Sequence, residues 1–259
     1  MSTLIGKVAL VTGAGAGIGR GSAVALAAAG AAIVVNDIDA TAAEETVSLI
    51  VNGGGKAIAH NGDTSRTADV KDAVSRSVEA FGGLDIVHAN AGVERYVELE
   101  RMSDEDMALL LDVDLKGVLL CFREAIPVLR DRGGGTLVAT SSVQASHSLP
   151  GCVVYAAAKA AVVAAVRTLA LEVGRDNIRV VAISPGTIDT AMLRRDLADM
   201  NVDAAEGFLQ RVRDANTLGR IGTIEEIGDV VVFLAGPGAA YITGTNIVID
   251  GGFTAVKAF

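Results

Sequence analysis

Lys7-Val8-Ala9-Leu10-Val11-Thr12-Gly13-Ala14-Gly15-Ala16-Gly17-Ile18-Gly19 is the stretch from which the fold can be read. Lys7 to Val11 is a short apolar run of strand length, and Ser22 to Ala29 beyond the glycines is Ala-rich and helical in character. A strand, a glycine turn and a helix N-terminus in succession make an anion site, because backbone N–H groups and the helix dipole point at a phosphate. The G-x-G-x-x-G spacing is not met, since Ile18 and Arg20 fall where its last glycine would be. The spacing present is G-x-x-x-G-x-G through Gly13, Gly17 and Gly19, with Ile18 between the last two. Such a longer loop still wraps a pyrophosphate, with glycines where backbone must approach closely. A merely flexible glycine turn is the alternative, but it would rarely follow a buried strand at residue 12 and open a helix.

Working outward, the same alternation recurs along the chain. Val8–Val11, Ala32–Val35, Lys56–His60, Leu84–Ala89, Thr136–Ser141, Ile178–Ser184 and Asn246–Ile249 are seven candidate strands separated by helical stretches. Gly53-Gly54-Gly55 and Gly133-Gly134-Gly135 read as tight turns before strands. Over half of the residues are apolar, as expected for a parallel sheet covered by helices on both faces. No repeat, low-complexity tract or linker divides the 259 residues, so the expectation is one doubly wound α/β domain over 1–259.

The second strand leads into Asn36-Asp37-Ile38-Asp39, with Asp37 eighteen residues past Gly19. An acid near this distance accepts hydrogen bonds from the adenosine ribose and repels a 2′-phosphate. Neither Ala16 nor Ile38 offers a basic partner for such a phosphate, and Arg20 lies on the helix. The expected cofactor is therefore NAD. Asp39, before Ala40 and Thr41, suits a helix cap better than Asp37 does.

Tyr155 and Lys159 stand four apart in Y-A-A-A-K, and Ser142 lies thirteen residues before Tyr155. Residues four apart share a helix face, so the ammonium can sit beside the phenol and lower its pKa. A tyrosine treated this way is a general acid/base, and a nearby serine can hold a carbonyl or alkoxide oxygen. Alone the pattern is short, and a tyrosine and a lysine that happen to line one face would satisfy it.

Taken in order, these segments resemble the short-chain dehydrogenase/reductase family in its shorter, single-domain branch, over essentially the whole chain. T-G-x-x-x-G-x-G stands at Thr12 to Gly19. Asp63, with Thr64, follows the third strand where the family contacts adenine, and N-N-A-G appears as Ala89-Asn90-Ala91-Gly92. Pro185-Gly186-Thr187-Ile188-Asp189-Thr190 matches the P-G-x-x-x-T segment that holds the nicotinamide carboxamide in the family. The resemblance implies a Rossmann-like sheet and an NAD(H)-dependent interconversion of a secondary alcohol and a ketone. Ser142, Tyr155 and Lys159 then occupy the catalytic positions, and Asn90 ties neighbouring strands. Asp114, in Val113-Asp114-Leu115-Lys116-Gly117-Val118, stands where the family has a catalytic asparagine. A carboxylate there would offset the Lys159 field, leave the Tyr155 pKa higher, and put the proton relay and pH optimum in question.

Composition excludes other classes. Net charge is −9 and no Lys/Arg cluster with interleaved aromatics appears, which argues against nucleic acid. Lys159 and Arg167 interrupt the most apolar helix, arguing against a membrane span. The first strand begins almost at once, so no signal peptide is expected. Cys121 and Cys152 have neither metal spacing nor a disulfide framework, which suits a cytoplasmic protein. His60, His88 and His147 do not cluster with other ligands and read as loop or strand-end residues, so no metal is expected.

Substrate choice is thinly encoded. Val143 to Val154 offers Gln144, His147 and Cys152, and a charged segment at about 191–217 reads as a helical lid. There Met192, Leu193, Leu197, Met200 and Phe208 are expected to face the pocket, with Arg194, Arg195, Asp196, Asp199, Arg211, Arg213 and Asp214 outward. Two alternatives stay open: an NADPH-dependent 3-oxoacyl thioester reductase, with Arg123, Arg130 and Arg132 as a docking patch, and a nucleotide-binding sensor without chemistry. Asp112–Leu129 and Val153–Val173 are helices with more apolar surface than one sheet face needs, Val162, Val163, Ala165 and Val166 spreading around the second. With the family's four-helix contact, and a second interface around Asn246–Ile249 and the tail Gly252–Phe259, a homotetramer is expected, or else a dimer.

Overall fold

Apolar β-branched runs form β1 (Val8–Thr12), β2 (Ala32–Asp37), β3 (Lys56–Asn61), β4 (Ile86–Ala89), β5 (Gly135–Thr140), β6 (Ile178–Pro185) and β7 (Thr245–Ile249). They join in one sheet, order β3-β2-β1-β4-β5-β6-β7, with every pairing parallel. The computed structural model describes residues 3–198 and 201–255, and leaves the side chains of Met192 and Asp196 undescribed. All seven expected strands are present within two residues of their expected ends.

Side chains alternate across the sheet, and each face builds its own core. Leu10, Val180 and Ala182 face one side, where they meet α3 (Thr67–Phe81), α5 (Val118–Asp131) and α6 (Val153–Val173) through Val74, Phe122 and Val166. Ala9, Val11, Val181 and Ile183 face the other. There they meet α1 (Gly17–Ala28), α2 (Ala40–Asn52) and α9 (Ile224–Ala235) through Leu26, Ile50 and Val231. As expected, Asp39 caps α2, accepting from Thr41 and Ala42 N–H. Sheet order reverses between β1 and β4, and the crevice beyond the C-terminal strand ends at that switch point is where such sheets bind ligands.

Two departures from the sequence reading bear on the site. The helix expected from Asp112 begins earlier, at α4 (Asp104–Leu111), capped by Ser103, and passes into α5 through a π-helical turn, Asp112–Gly117. His88 and His60 do stand near strand ends, one residue from the ends of β4 and β3, but they are set deeper than loop residues: His88 is fully buried and His60 is buried between Asn36 and Asp72.

With the turn that follows it, α6 spans 24 residues and contains an 18-residue stretch of mean hydropathy 1.6, so by length and composition it could cross a bilayer despite Lys159 and Arg167. In this fold Val162, Val166 and Val173 pack on the sheet and Lys159 is turned inward. The expected lid is α7 (Ala191–Ala198) and α8 (Val202–Ala215). Arg194, Arg195, Arg211 and Asp214 are exposed there, and Leu193, Leu197 and Phe208 are half-buried. Asp199, Met200 and residues 256–259 of the tail lie outside the described residues.

Candidate active site

The glycine loop crowns β1 and opens α1. Gly13 has φ +61°, and a β-carbon there would lie 2.8 Å from Ala91 Cα. One at Gly19 would collide with the Gly13 carbonyl and the Asn90 amide. No side chain caps α1, and its first turn carries no acid, so the N–H groups of Gly17, Ile18 and Gly19 face the crevice without a competing carboxylate. This cradle fits a dinucleotide phosphate. Asp37, at the end of β2, closes its far side, its carboxylate accepting from Gly15 N–H at 2.8 Å and Asp39 N–H at 2.9 Å. Arg20 points away, bonding Thr46 at 2.9 Å and Glu45 at 3.0 Å. Asp63 accepts from the Ser65 hydroxyl, and Thr64 is buried beside Asn36 and Cys121. On the opposite rim Gly186 follows β6, Ile188 bridges to Gly222, and Thr190 lies over Gly17.

Asn90 knots three strand ends. Its amide donates to the carbonyls of Thr12 at 3.1 Å and Gly13 at 3.4 Å, and its oxygen accepts the Thr140 hydroxyl at 3.1 Å. Having given its one proton to Asn90, Thr140 Oγ1 must accept from His88 Nε2, 2.8 Å away. That fixes the histidine tautomer. Burial lowers the His88 pKa to about 3, so the ring is neutral, and its Nδ1 has no hydrogen-bond partner among the described residues.

Lys159 lies beneath this knot. Its ammonium donates to the Thr140 carbonyl at 3.1 Å, pairs with Asp114 Oδ1 at 3.0 Å, and sits 5.5 Å from the Tyr155 ring centre. The π-turn is what aims Asp114 inward, whereas Asp112 on the same turn faces out to Lys116 at 2.9 Å. Such turns insert one residue into a helix and are frequent at functional sites. Both members of the Lys159–Asp114 pair are buried, and Asp114 Oδ2 has no hydrogen-bond partner among the described residues. Burial raises the Asp114 pKa, with Lys159 pulling the other way.

The sequence reading expected Lys159 to lower the Tyr155 pKa, and the structure corrects this. The Tyr155 pKa is raised: burial is the main cause, followed by the negative charges of Glu94 and Asp114. A hydrogen bond from Ser142 is the one influence in the opposite direction. Lys159, meanwhile, is paired with Asp114 at 3.0 Å. Asp114→Asn removes that charge and keeps an oxygen to accept from Lys159 and Val93. The Tyr155 pKa should fall, and the pH profile of alcohol oxidation should move to lower pH. An unchanged profile would show that the carboxylate does not reach the phenol electrostatically.

The three residues expected to touch substrate separate. Cys152 is buried just ahead of α6, with its thiol pushed up to about 11 by burial and by Glu94. Gln144 turns into its own loop and accepts from Leu149 N–H at 2.9 Å, and His147 is exposed beside Ser146. In their place the loop after β4 comes against the start of α6, the Tyr96 backbone packing on Gly151, and after burial Glu94 is the strongest influence on the Tyr155 and Cys152 pKa values. The position of Glu94 and Tyr96 directly after a strand that ends in the crevice was the available signal.

The thioester docking patch does not form. Arg130 pairs with Asp176 at 2.6 Å and Arg132 with Asp85 at 3.4 Å, at the opposite end of the strands from Tyr155, and Arg123 pairs with Glu124 at 2.7 Å. Among the described residues no cluster could hold a metal ion.

Comparison with known proteins agrees with this architecture. The family model described as enoyl-(acyl carrier protein) reductase matches residues 13–254. A cyclohexanol dehydrogenase of an Acinetobacter species is 35% identical, the match covering 96% of this chain and 95% of that one. The 3-oxoacyl-(acyl-carrier-protein) reductase FabG of Thermotoga maritima is also 35% identical, over 96% of this chain and 98% of its own. The crystal structure of a short-chain type dehydrogenase/reductase from Mycobacterium marinum superposes with a TM-score of 0.91 at 32% identity, covering 98% of each chain. With sheet order, glycine cradle and matches over nearly the full length in agreement, the chain belongs to the short-chain dehydrogenase/reductase family of oxidoreductases.

Proposed function

We propose that the protein is an NAD(H)-dependent oxidoreductase that interconverts a secondary alcohol and a ketone, with Tyr155 as general acid/base. The observation that carries this reading is the meeting of Ser142, Tyr155 and Lys159 at the strand ends that also carry the glycine cradle. A nicotinamide dinucleotide, when bound, supplies the hydride acceptor or donor. Gly13, Gly17, Ile18 and Gly19 would hold its phosphates, Asp37 its ribose, Asp63 and Thr64 its adenine side. Asn90, Gly92, Pro185, Gly186, Ile188 and Thr190 would hold its nicotinamide side. Ser142 steadies the substrate oxygen, and Tyr155 takes the alcohol proton in oxidation and returns it in reduction. Lys159 favours the phenolate when proton transfer demands it. Asp114, paired to that lysine, sets how basic Tyr155 must become first.

Asp37 and the engagement of Arg20 with Thr46 and Glu45 support NAD over NADP. A panel of secondary alcohols and ketones with NAD(H) and NADP(H), followed at the nicotinamide absorbance, tests enzyme and cofactor together. Turnover favouring NAD(H) is expected. Equal or better efficiency with NADP(H) would refute the cofactor assignment, and no turnover with either would favour the sensor. The FabG relative keeps 3-oxoacyl thioester reduction as a second reading, weakened by Asp37 and by the pairing of Arg123, Arg130 and Arg132 with acids.

The same reading places α7 and α8 as the lid of one catalytic domain, and the protein in the cytoplasm, where free Cys121 and Cys152 suit a reducing compartment. It also makes the protein a homotetramer. Leu109, Leu111 and Leu119 on α4 and α5, with Val153 and Leu171 on α6, leave an exposed apolar surface, and Leu171 is 85% exposed. Light scattering should return four times the chain mass of 26.3 kDa, and a monomer mass would overturn the assembly.

A further inference from the structure

His60 is a buried histidine that the hydride and proton steps do not use. It stands on β3 with its side chain 6% exposed, and each ring nitrogen meets an oxygen. Nδ1 lies 2.7 Å from Asn36 Oδ1 on β2, and Nε2 lies 2.9 Å from Asp72 Oδ2 on α3. The Asp72 carboxylate can only accept. Asn36 is oriented by its other contact, its NH₂ donating to the Gly62 carbonyl at 3.4 Å. Turning that amide over would set two oxygens against each other, so the atom facing His60 is the oxygen. Neutral imidazole has one donor and one acceptor. Two acceptors are met only by the imidazolium, in which both nitrogens donate.

The other charged groups on the neighbouring elements are engaged elsewhere. On α3, Asp69 accepts from Asp63 N–H at 3.0 Å with Arg66 3.9 Å away, and Arg76 pairs with Glu79 at 4.0 Å. Asp37 turns its carboxylate to Gly15, and Asp63 accepts from Ser65. From α5, Cys121 approaches Asn36, its thiol held neutral by burial, which pushes it up to about 12.

The two His60 contacts brace the adenosine end of the cleft. Asn36 immediately precedes Asp37, and its carbonyl accepts the Ala14 N–H of the glycine loop at 3.0 Å. Gly62 N–H donates to the Asp37 carbonyl at 3.1 Å, and the Asn61 amide donates to the Ile38 carbonyl at 2.8 Å. The imidazolium thus ties α3 to the strand end that carries Asp37 and to the turn that carries Asp63.

We propose that His60 is a positioning residue for the dinucleotide, a brace that holds the adenosine rim in its binding shape only while both ring nitrogens carry protons. The proposal rests on the reading of this cleft as a nicotinamide dinucleotide site. Removing one proton leaves a lone pair facing an acceptor oxygen, and one of the two contacts becomes repulsive. Through Asn36 the loss reaches Gly62 and the strand end at Asp37. Imidazole is the side chain that changes charge around neutral pH. NAD affinity should therefore weaken as pH rises through that range, by about two- to tenfold, the worth of one hydrogen bond.

Two measurements test it. Nitrogen-15 shifts of His60 in the cofactor-free protein report whether both ring nitrogens are protonated on the acid side of neutrality, and a bare nitrogen there would overturn the proposal. NAD affinity is then measured by calorimetry across the neutral range in wild type, His60→Gln and Asp72→Asn. Wild type should bind more weakly as pH rises, and His60→Gln should bind weakly throughout. Asp72, 63% exposed, gives the sharper variant. An amide there can donate to Nε2, so a neutral ring that donates from Nδ1 to Asn36 keeps both contacts. Asp72→Asn should accordingly bind NAD as tightly at the alkaline end as at the acid end. A pH dependence that persists in either variant, or is absent from the wild type, would overturn the proposal alone. No NAD binding by any of the three proteins would overturn the cofactor reading with it.

Discussion

Tyr155→Phe should lower turnover by about 10²–10⁴-fold, the usual contribution of a positioned general acid/base, while leaving NAD affinity close to that of the wild type. The substitution keeps the ring that packs beside Lys159 and removes the one oxygen that Ser142 bonds. Steady-state rates on the best alcohol of the panel, with cofactor binding followed by fluorescence, separate the two effects. Near-normal turnover would mean that another group carries the proton. Because burial, Glu94 and Asp114 all raise the Tyr155 pKa, the wild-type oxidation rate should climb with pH well into the alkaline range. Tyr155→Phe should flatten that climb.

The second large effect is on stability. Lys159→Met removes one partner of a buried ion pair and leaves Asp114 at 0% exposure without its counter-charge. Breaking such a pair costs about 3–5 kcal/mol, because the remaining charge is left desolvated. Denaturant midpoints, compared at one protein concentration since assembly contributes to apparent stability, measure the loss. The cost should shrink in acid. Without Lys159, burial is opposed only by the Val93 N–H bond and raises the folded Asp114 pKa above the unfolded value, so the folded state binds the extra proton. Stability of the variant is then greatest below the unfolded carboxylate pKa of about 4 and declines as pH rises through the folded value. Adding Asp114→Asn should recover part of the loss at neutral pH. A variant as stable as wild type at neutral pH would mean that the buried carboxylate takes a proton at little cost.

What was legible in the sequence was what short-range pattern encodes. Strand positions follow from apolar runs a few residues long, and Gly13, Gly17 and Gly19 announce close backbone approach by having no side chain. Tyr155 and Lys159 share a helix face by spacing alone. What was not legible depends on residues distant in sequence. The π-turn leaves no local signature, because one extra residue in a helix changes direction rather than composition, yet it is what aims Asp114 at Lys159. The capping signal at Ser103, followed by Asp104, Glu105 and Asp106, could have set the start of α4 correctly. The effect of Asp114 on the Tyr155 pKa is legible in the sequence, but burial and Glu94, 61 residues upstream, are not, and they set the sign. Gln144 was polar and near the site in sequence, but its own loop claimed it.

The junction of His88, Thr140 and Asn90 has a practical consequence. A buried imidazole with one enforced tautomer and a pKa of about 3 does not titrate anywhere near neutral pH. Its ring-nitrogen resonances are therefore insensitive to the buffer and sensitive to the hydrogen bond with Thr140. Through Asn90 that bond leads to the carbonyls of Thr12 and Gly13, and the Thr140 carbonyl meets Lys159. The protein thus carries a native spectroscopic sentinel at the meeting point of its nucleotide cradle and its proton path. Spectra of the nitrogen-15-enriched protein could follow ligand-induced changes at both through His88, with no foreign probe group attached.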